Sequence, residues 1–168
     1  WGCLHNGIKC FPAALKALKD FKASSGKVIL VTNAPRPISN VEYQIENLGI
    51  NKIYYDMLLT SGELTSTYVN KICKNKLSIF HIGGKRHHSI YKDMINEQKI
   101  SIETENIVNA DLIVCTEPIN PSRDKLSDYE NTFRAGIDKN LTLLCANPDL
   151  VVDVGEKREM CAGSLASM

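Results

Sequence analysis

The chain has 168 residues, 43% hydrophobic and 23% charged, which fits a folded protein of one or two small domains. A net charge of +1, with the basic residues scattered, excludes bulk attraction to nucleic acid or to an acidic membrane surface. No apolar run reaches the roughly 18 residues of a membrane-spanning helix.

Pro12 suits the first turn of a helix, and Ala14, Leu15, Leu18 and Phe21 then recur at helical spacing until Gly26. "KVILVTNAPRP" (27–37) follows. Val28, Ile29, Leu30 and Val31 form a continuous apolar run, the mark of a strand buried on both faces. Thr32 and Asn33 end the strand with a hydroxyl and an amide, and Pro35 and Pro37 forbid its continuation. The next helix has Ser39 or Asn40 as its N-cap, Val41, Ile45 and Leu48 on one face, and Gly49 as its stop. "IYYDMLLTS" (53–61) is expected as a strand and is followed by a helix to about residue 74, whose "KICKNK" end is solvated. "LSIFHIGG" (77–84) is a strand with a glycine turn, 86–97 is helical, and "ISIE" (100–103) is extended. "ADLIVCTE" (110–117) is another buried strand, 126–138 is helical, and "LTLLCANPD" (141–149) is a strand broken by Pro148. This alternation defines an α/β protein with mainly parallel strands.

Six cysteines are present, with no C-x-x-C pair and no His/Cys cluster. Cys73, Cys115 and Cys145 lie in apolar contexts and are expected as buried free thiols. That usage implies a reducing, cytoplasmic setting. The chain opens at Trp1 in "WGCLHNG" and closes at "CAGSLASM", in what reads as the start of a helix. Both ends are expected to be cut from something longer.

Ligands of open parallel sheets bind beyond the carboxyl ends of the strands. Five places qualify: Thr32-Asn33, Thr60-Ser61, Gly83-Gly84, Thr116-Glu117 and Asn147-Pro148-Asp149. At each, the alternative is a residue that only ends a strand or caps a helix. The first stands out because a hydroxyl, an amide and Arg36 fall within five residues. "GGKRHH" (83–88) lacks the full G-x-x-x-x-G-K-[ST] phosphate loop, and adjacent His87 and His88 suit a solvated helix start. A metal site at Asp149 and Asp153 is conceivable, but "CANPD" more simply marks a return of the chain between domains.

Taken in order, "WGCLHNG", "FPAALKALKDFKASSGKVILVTNAPRP", "YDMLLTSGELT", "HIGG", "ADLIVCTEP", "LCANPDLVV" and "CAGSLA" resemble class IIA of the haloacid-dehalogenase-like hydrolases. The resemblance is to a branch whose first motif reads Asp-Val-Trp-Gly-Val-Leu-His-Asp-Gly. It implies a Rossmann-like core with an inserted α/β cap: residues 1–59 as the first half of the core, 60–150 as the cap, and 151–168 as a truncated return to the core. The implied activity is phosphatase-type hydrolysis of a small phosphorylated metabolite, a sugar phosphate or a nucleotide, through an aspartyl-phosphate with Mg²⁺. Thr32 and Asn33 match the second motif, which positions the phosphate, and Arg36 is either a further phosphate cation or a solvated loop residue.

The family's nucleophilic aspartate would fall two positions before Trp1. Trp1 stands where most relatives carry a second aspartate, the general acid/base. Indole is a donor only, yet the Trp1 main-chain carbonyl remains suited to ligating Mg²⁺. His5 either stands in as the acid/base or packs and caps its loop. The third-motif lysine and the fourth-motif acidic pair have no match, so the segment by itself is expected to be inactive. Caps of this class often pair, which implies a homodimer through the cap. The competing class of function is a catalytically silent or split subunit acting as a binding partner.

Overall fold

The computed structural model describes residues 1–154 and 157–168. After an N-terminal loop, Pro12 opens α1 (Pro12–Ala23), followed by β1 (Ile29–Thr32), α2 (Ile38–Asn47) and β2 (Met57–Thr60). β1 and β2 pair in parallel, with Ile29 opposite Met57 and Thr32 opposite Thr60. Val28 and Leu58 pack beneath this sheet with Val41 and Ile45 of α2, Ile50 and Tyr55, and Leu15 and Leu18 of α1 lie against them.

Three expectations are corrected here. β1 is not buried on both faces: Ile29 is 55% and Val31 76% exposed, because helices cover only one side of this two-stranded sheet. α2 takes neither Ser39 nor Asn40 as its N-cap; it starts two to three residues earlier, where Pro37 (φ −55°) sets its entry without a side-chain cap. The second strand is only Met57–Thr60. Residues 53–56 instead form a turn, in which the Asp56 carboxylate accepts the Val28 N–H at 2.8 Å and pairs with Lys22 and Lys27. That N–H, with Lys22 next, holds the Asp56 carboxyl down at about 2.

The second sheet is larger. α3 (Ser61–Ile72), β3 (Leu77–Ile82), a 3-10 helix (Lys85–Tyr91), α4 (Lys92–Asn96), β4 (Ile100–Glu103), β5 (Leu112–Cys115), α5 (Glu130–Asp138) and β6 (Thr142–Cys145) follow in order. Their strands stand in the order β4-β3-β5-β6, all parallel. β5 is buried at every residue, as its unbroken apolar run predicts. One face of the sheet packs Phe80, Ile82, Ile113 and Cys115 against Tyr129 and Phe133. The other packs Ile79, Leu112 and Val114 against Val69, Tyr91 and Met94. The six cysteines are free, and of the three expected to be buried only Cys115 is fully so, Cys73 and Cys145 being half-buried.

Two strands were not expected from the sequence. β7 (Val151–Val154) and β8 (Lys157–Met160) pair antiparallel, with Asp153 opposite Arg158 and joined to it at 2.8 Å. Asp153 is therefore a cross-strand ion-pair partner. The final helix, α6 (Ala162–Ala166), places Ala162 and Leu165 in the core under β5 and β6. It docks closely because residue 163 is glycine: a Cβ there would lie 2.2 Å from the Pro148 carbonyl oxygen. No helix among the described residues is long and apolar enough to cross a membrane.

The two sheets differ in cover, and so in protection against local opening. Amide hydrogen exchange is expected to be slow across Leu112–Cys115 and markedly faster across Ile29–Thr32. The reverse ranking would show that the two-stranded sheet is the better-anchored unit.

Candidate functional site

A cavity of about 430 Å³ opens between the carboxyl ends of the strands of the two sheets. Trp1, His5, Thr32, Asn33 and Arg36 line it from the side of the first sheet, and Arg86, His87, Thr116, Glu117, Asn147 and Asp149 from the side of the second. The five residues given site roles by the resemblance, Trp1, His5, Thr32, Asn33 and Arg36, thus share one space.

The first wall is the loop after β1. The Thr32 hydroxyl oxygen accepts the Ala34 N–H at 3.2 Å, so its own proton is directed elsewhere. The Asn33 amide nitrogen donates to the Asp149 carboxylate at 2.5 Å, and its second N–H has no protein acceptor among the described residues. Arg36 donates to the Gln44 side chain, which braces the guanidinium against α2. Burial lowers the pKa of Arg36, the nearby Arg86 charge adds to this, and Glu117 opposes it.

The loop is clamped from behind by the start of α3. The Thr60 hydroxyl donates to the Arg36 carbonyl at 2.7 Å and accepts the Glu63 N–H as the α3 N-cap. Gly62 donates its N–H to the Ala34 carbonyl at 3.1 Å. A Cβ on Gly62 would lie 2.3 Å from the Arg36 nitrogen, so the close approach requires glycine. Thr60 is buried and fully used by this clamp; it does not face the cavity.

The second wall is a polar network at the ends of β3 and β5. Glu117 accepts from Arg86 at 2.5 Å and from the Gly84 N–H at 3.3 Å. Behind it, His87 Nδ1 lies 2.8 Å from the Thr116 hydroxyl, which is 3.3 Å from His81 Nε2, and His81 Nδ1 is 3.4 Å from the Tyr91 hydroxyl. Thr116 fits under the turn because residue 83 is glycine (φ +147°), whose Cβ would strike the Thr116 oxygen at 2.1 Å. His87 is not a solvated helix start: it is 3% exposed, since the segment after Gly84 folds as a 3-10 helix inward over β3. Burial pushes His87 down to about 4 despite Glu117, and His81 to about 3 with His88 and His87 adding repulsion. Both are neutral near pH 7.

His5 is buried, and its Nδ1 accepts the Gly7 N–H at 3.0 Å while the Trp1 ring meets its ring edge-on at 5.6 Å. Its pKa is lowered, first by burial and then by neighbouring positive charge that includes Arg36. The geometry is that of a loop-packing histidine whose Nε2 alone is left for the cavity. Trp1 itself is half-exposed and rests on Gly7 (φ +90°), where a Cβ would strike the indole.

A Mg²⁺ ion is not accommodated by these residues alone. Among the described residues no three His, Cys, Asp or Glu side chains converge as metal ligands. The carboxylate of Glu117 is held by Arg86 and that of Asp149 by Asn33, which leaves the Trp1 carbonyl as a single candidate ligand.

A fold of this kind with a polar cavity at the strand ends can be set beside known proteins. A profile of haloacid dehalogenase-like hydrolases matches residues 1–97. The chain belongs to the haloacid dehalogenase-like hydrolase family. Within it the fold is that of class IIA. A haloacid dehalogenase-like hydrolase from Brucella suis superposes with a TM-score of 0.85 at 34% identity, over 99% of this chain and 60% of that one. The 4-nitrophenylphosphatase of Thermotoga maritima shares the fold at TM-score 0.65 and 19% identity, over 94% of this chain and 56% of that one. The glycerol phosphate phosphatase of Mycobacterium tuberculosis, solved in complex with magnesium, does so at 0.68 and 15%, over 99% and 47%. This hydrolase-family chain therefore spans 60% or less of the length of these three relatives. No curated protein sequence matches it.

The sequence reading missed Arg86 and His87 as cavity residues. The glycine pair before them was the usable signal, because a glycine turn at a strand's carboxyl end lets the following segment fold back over the sheet.

The neutral histidines make a pH prediction. Both take up protons at about 6.5 when unfolded but only near 3 to 4 when folded. Between these limits the unfolded chain binds more protons, so their stabilisation is complete above pH 6.5 and is lost as pH falls toward 4. Asp56 acts in a separate window, from 3.8 down to about 2. The urea midpoint is thus expected to drop steadily from about pH 7 to about pH 4.5. An unchanged midpoint over that range would mean that the histidines are charged in the fold.

Proposed function

We propose that the cavity binds the phosphoryl group of a small phosphorylated metabolite, a sugar phosphate or a nucleotide, and that the full protein hydrolyses it as a phosphatase. The observation that carries this reading is the convergence of Thr32, Asn33, Arg36 and Arg86 on one cavity. Thr32 has a hydroxyl proton to donate and Asn33 a spare N–H; the Arg36 guanidinium has no carboxylate partner among the described residues and is repelled by that of Arg86, which Glu117 only partly offsets. An anion between them relieves that repulsion and accepts those donors. Phosphoryl transfer needs mostly positioning and charge stabilisation, which fixed donors of this kind supply. The phosphatase activities for which the Thermotoga and Mycobacterium relatives are named support the same reaction class.

The division of labour follows from the two sheets. We read residues 1–59 as half of the hydrolase core and 60–150 as the cap, with α6 packed on the cap side. The nucleophilic carboxylate, in this reading, precedes Trp1. A divalent metal is extended to the full protein from the magnesium-bound relative, with most of its ligands outside the described residues, which offer at most one. The Trp1 side chain favours a second reading, a silent or split subunit, since indole cannot take up the leaving-group proton as a carboxylate does.

The test is Thr32→Val in the full-length protein with a saturating aryl phosphate. The change keeps the shape of the side chain and removes one donor, together with the 3.2 Å acceptor of the Ala34 N–H. Turnover is expected to fall on the order of a hundredfold, the usual cost of one preorganised donor, with little change in thermal midpoint. Equal turnover in both proteins would remove Thr32 from the reaction, and absence of turnover in the wild type would favour the silent subunit.

A further inference from the structure

Asn33 and Asp149 are 116 residues apart in sequence, and their 2.5 Å side-chain hydrogen bond joins the end of β1 to the segment that leaves β6. Asp149 does not reach across on a loose loop. Its N–H donates to the Asn147 side chain at 3.1 Å, and its carbonyl accepts the Gly163 N–H at 3.0 Å. The next carbonyl, of Leu150, accepts the Ser164 hydroxyl at 2.6 Å and the Cys161 N–H at 2.9 Å. Gly163 leaves no room for a side chain against Pro148 and Asp149, and the helix it belongs to is anchored by fully buried Ala162 and Leu165. The carboxylate is therefore presented from a fixed backbone.

An asparagine amide can turn over, exchanging its donor and acceptor edges. A carboxylate only accepts, so whatever faces Asp149 must be the NH₂ edge. That contact, strengthened by charge, selects one of the two amide orientations. It leaves the second N–H of the same nitrogen as the donor available to an anion.

We infer that Asp149 is a positioning residue that fixes the Asn33 amide with its donor edge toward the phosphate subsite. This inference rests on the phosphate reading of the cavity. It assigns the segment "CANPD" after β6 a part in the site, beyond its part in ending that strand.

The test is a double-mutant cycle in the full-length hydrolase with an aryl phosphate, using Asn33→Ala, Asp149→Ala, Asp149→Asn and the Asn33→Ala/Asp149→Ala pair. Asp149→Ala is expected to lower kcat/KM about tenfold, as for one coupled hydrogen-bonded pair. Asp149→Asn, which keeps an acceptor on the same frame, is expected to restore most of the loss. In the Asn33→Ala background, Asp149→Ala is expected to have no further effect. The same tenfold loss in that background would overturn the inference and leave the phosphate reading standing, because Asp149 would then act independently of Asn33. An Asn33→Ala protein with unchanged kcat/KM would instead sink the phosphate reading. A second readout does not depend on activity: Asp149→Ala is expected to shift the Asn33 side-chain amide signals in a ¹⁵N–¹H spectrum of this chain, and unmoved signals overturn the inference directly.

Discussion

The chain crosses from its first sheet to its second, and both that crossing and the segment that leaves β6 are pinned to residues 33–36 after β1. On the way out, Gly62 donates to the Ala34 carbonyl and Thr60 to that of Arg36. From beyond β6, Asp149 takes the Asn33 amide. These contacts set the carboxyl ends of two parallel sheets face to face, and the cavity is the space they enclose. Without the pinning, the short strands of the first sheet would have little to hold their loop. Two prolines already restrict that loop, but restriction alone does not aim a side chain.

Charge is arranged across this space in a consistent way. On the second wall the carboxylates of Glu117 and Asp149 are matched by donors, Glu117 by Arg86 and the Gly84 N–H, Asp149 by Asn33. Arg36, across from them, pairs only with a neutral amide. The histidines behind Thr116 are kept uncharged by burial, so they add hydrogen-bonding groups without adding to the positive charge. Among the described residues, the cationic charge left without a carboxylate partner therefore sits on Arg36, since Arg86 is paired with Glu117. A bound anion is the natural complement to that arrangement, whereas a neutral ligand would leave it unrelieved.

Much of this was legible in the sequence. The β5 run "LIVC" lies in the middle of a covered sheet and is buried throughout. The similar run in β1 misled, because an apolar sequence states what a strand can bury and not whether both of its faces are covered. Ile29 and Val31 stand exposed for that reason. The loop residues Thr32, Asn33 and Arg36 were found because polar groups after a parallel strand have a known place. Asp149 was seen but not its partner, since a contact across 116 residues leaves no local pattern. The β7–β8 hairpin escaped because Asp153 and Arg158 look like ordinary loop charges until their register makes them cross-strand neighbours. The burial of His87 was hidden by its neighbours: Lys85 and Arg86 mark the segment as polar, while the turn after the glycine pair sends His87, Ile90 and Tyr91 inward.

The central claim is that both walls contribute to one anion-binding site. It is tested most directly by titrating inorganic phosphate into ¹⁵N-labelled chain and following the backbone amide signals. Saturable shifts are predicted together, with a single affinity, at Thr32, Asn33 and Arg36 on one wall and at Arg86 and Thr116 on the other. Shifts confined to one wall, or absent at Thr32 and Asn33, would contradict it.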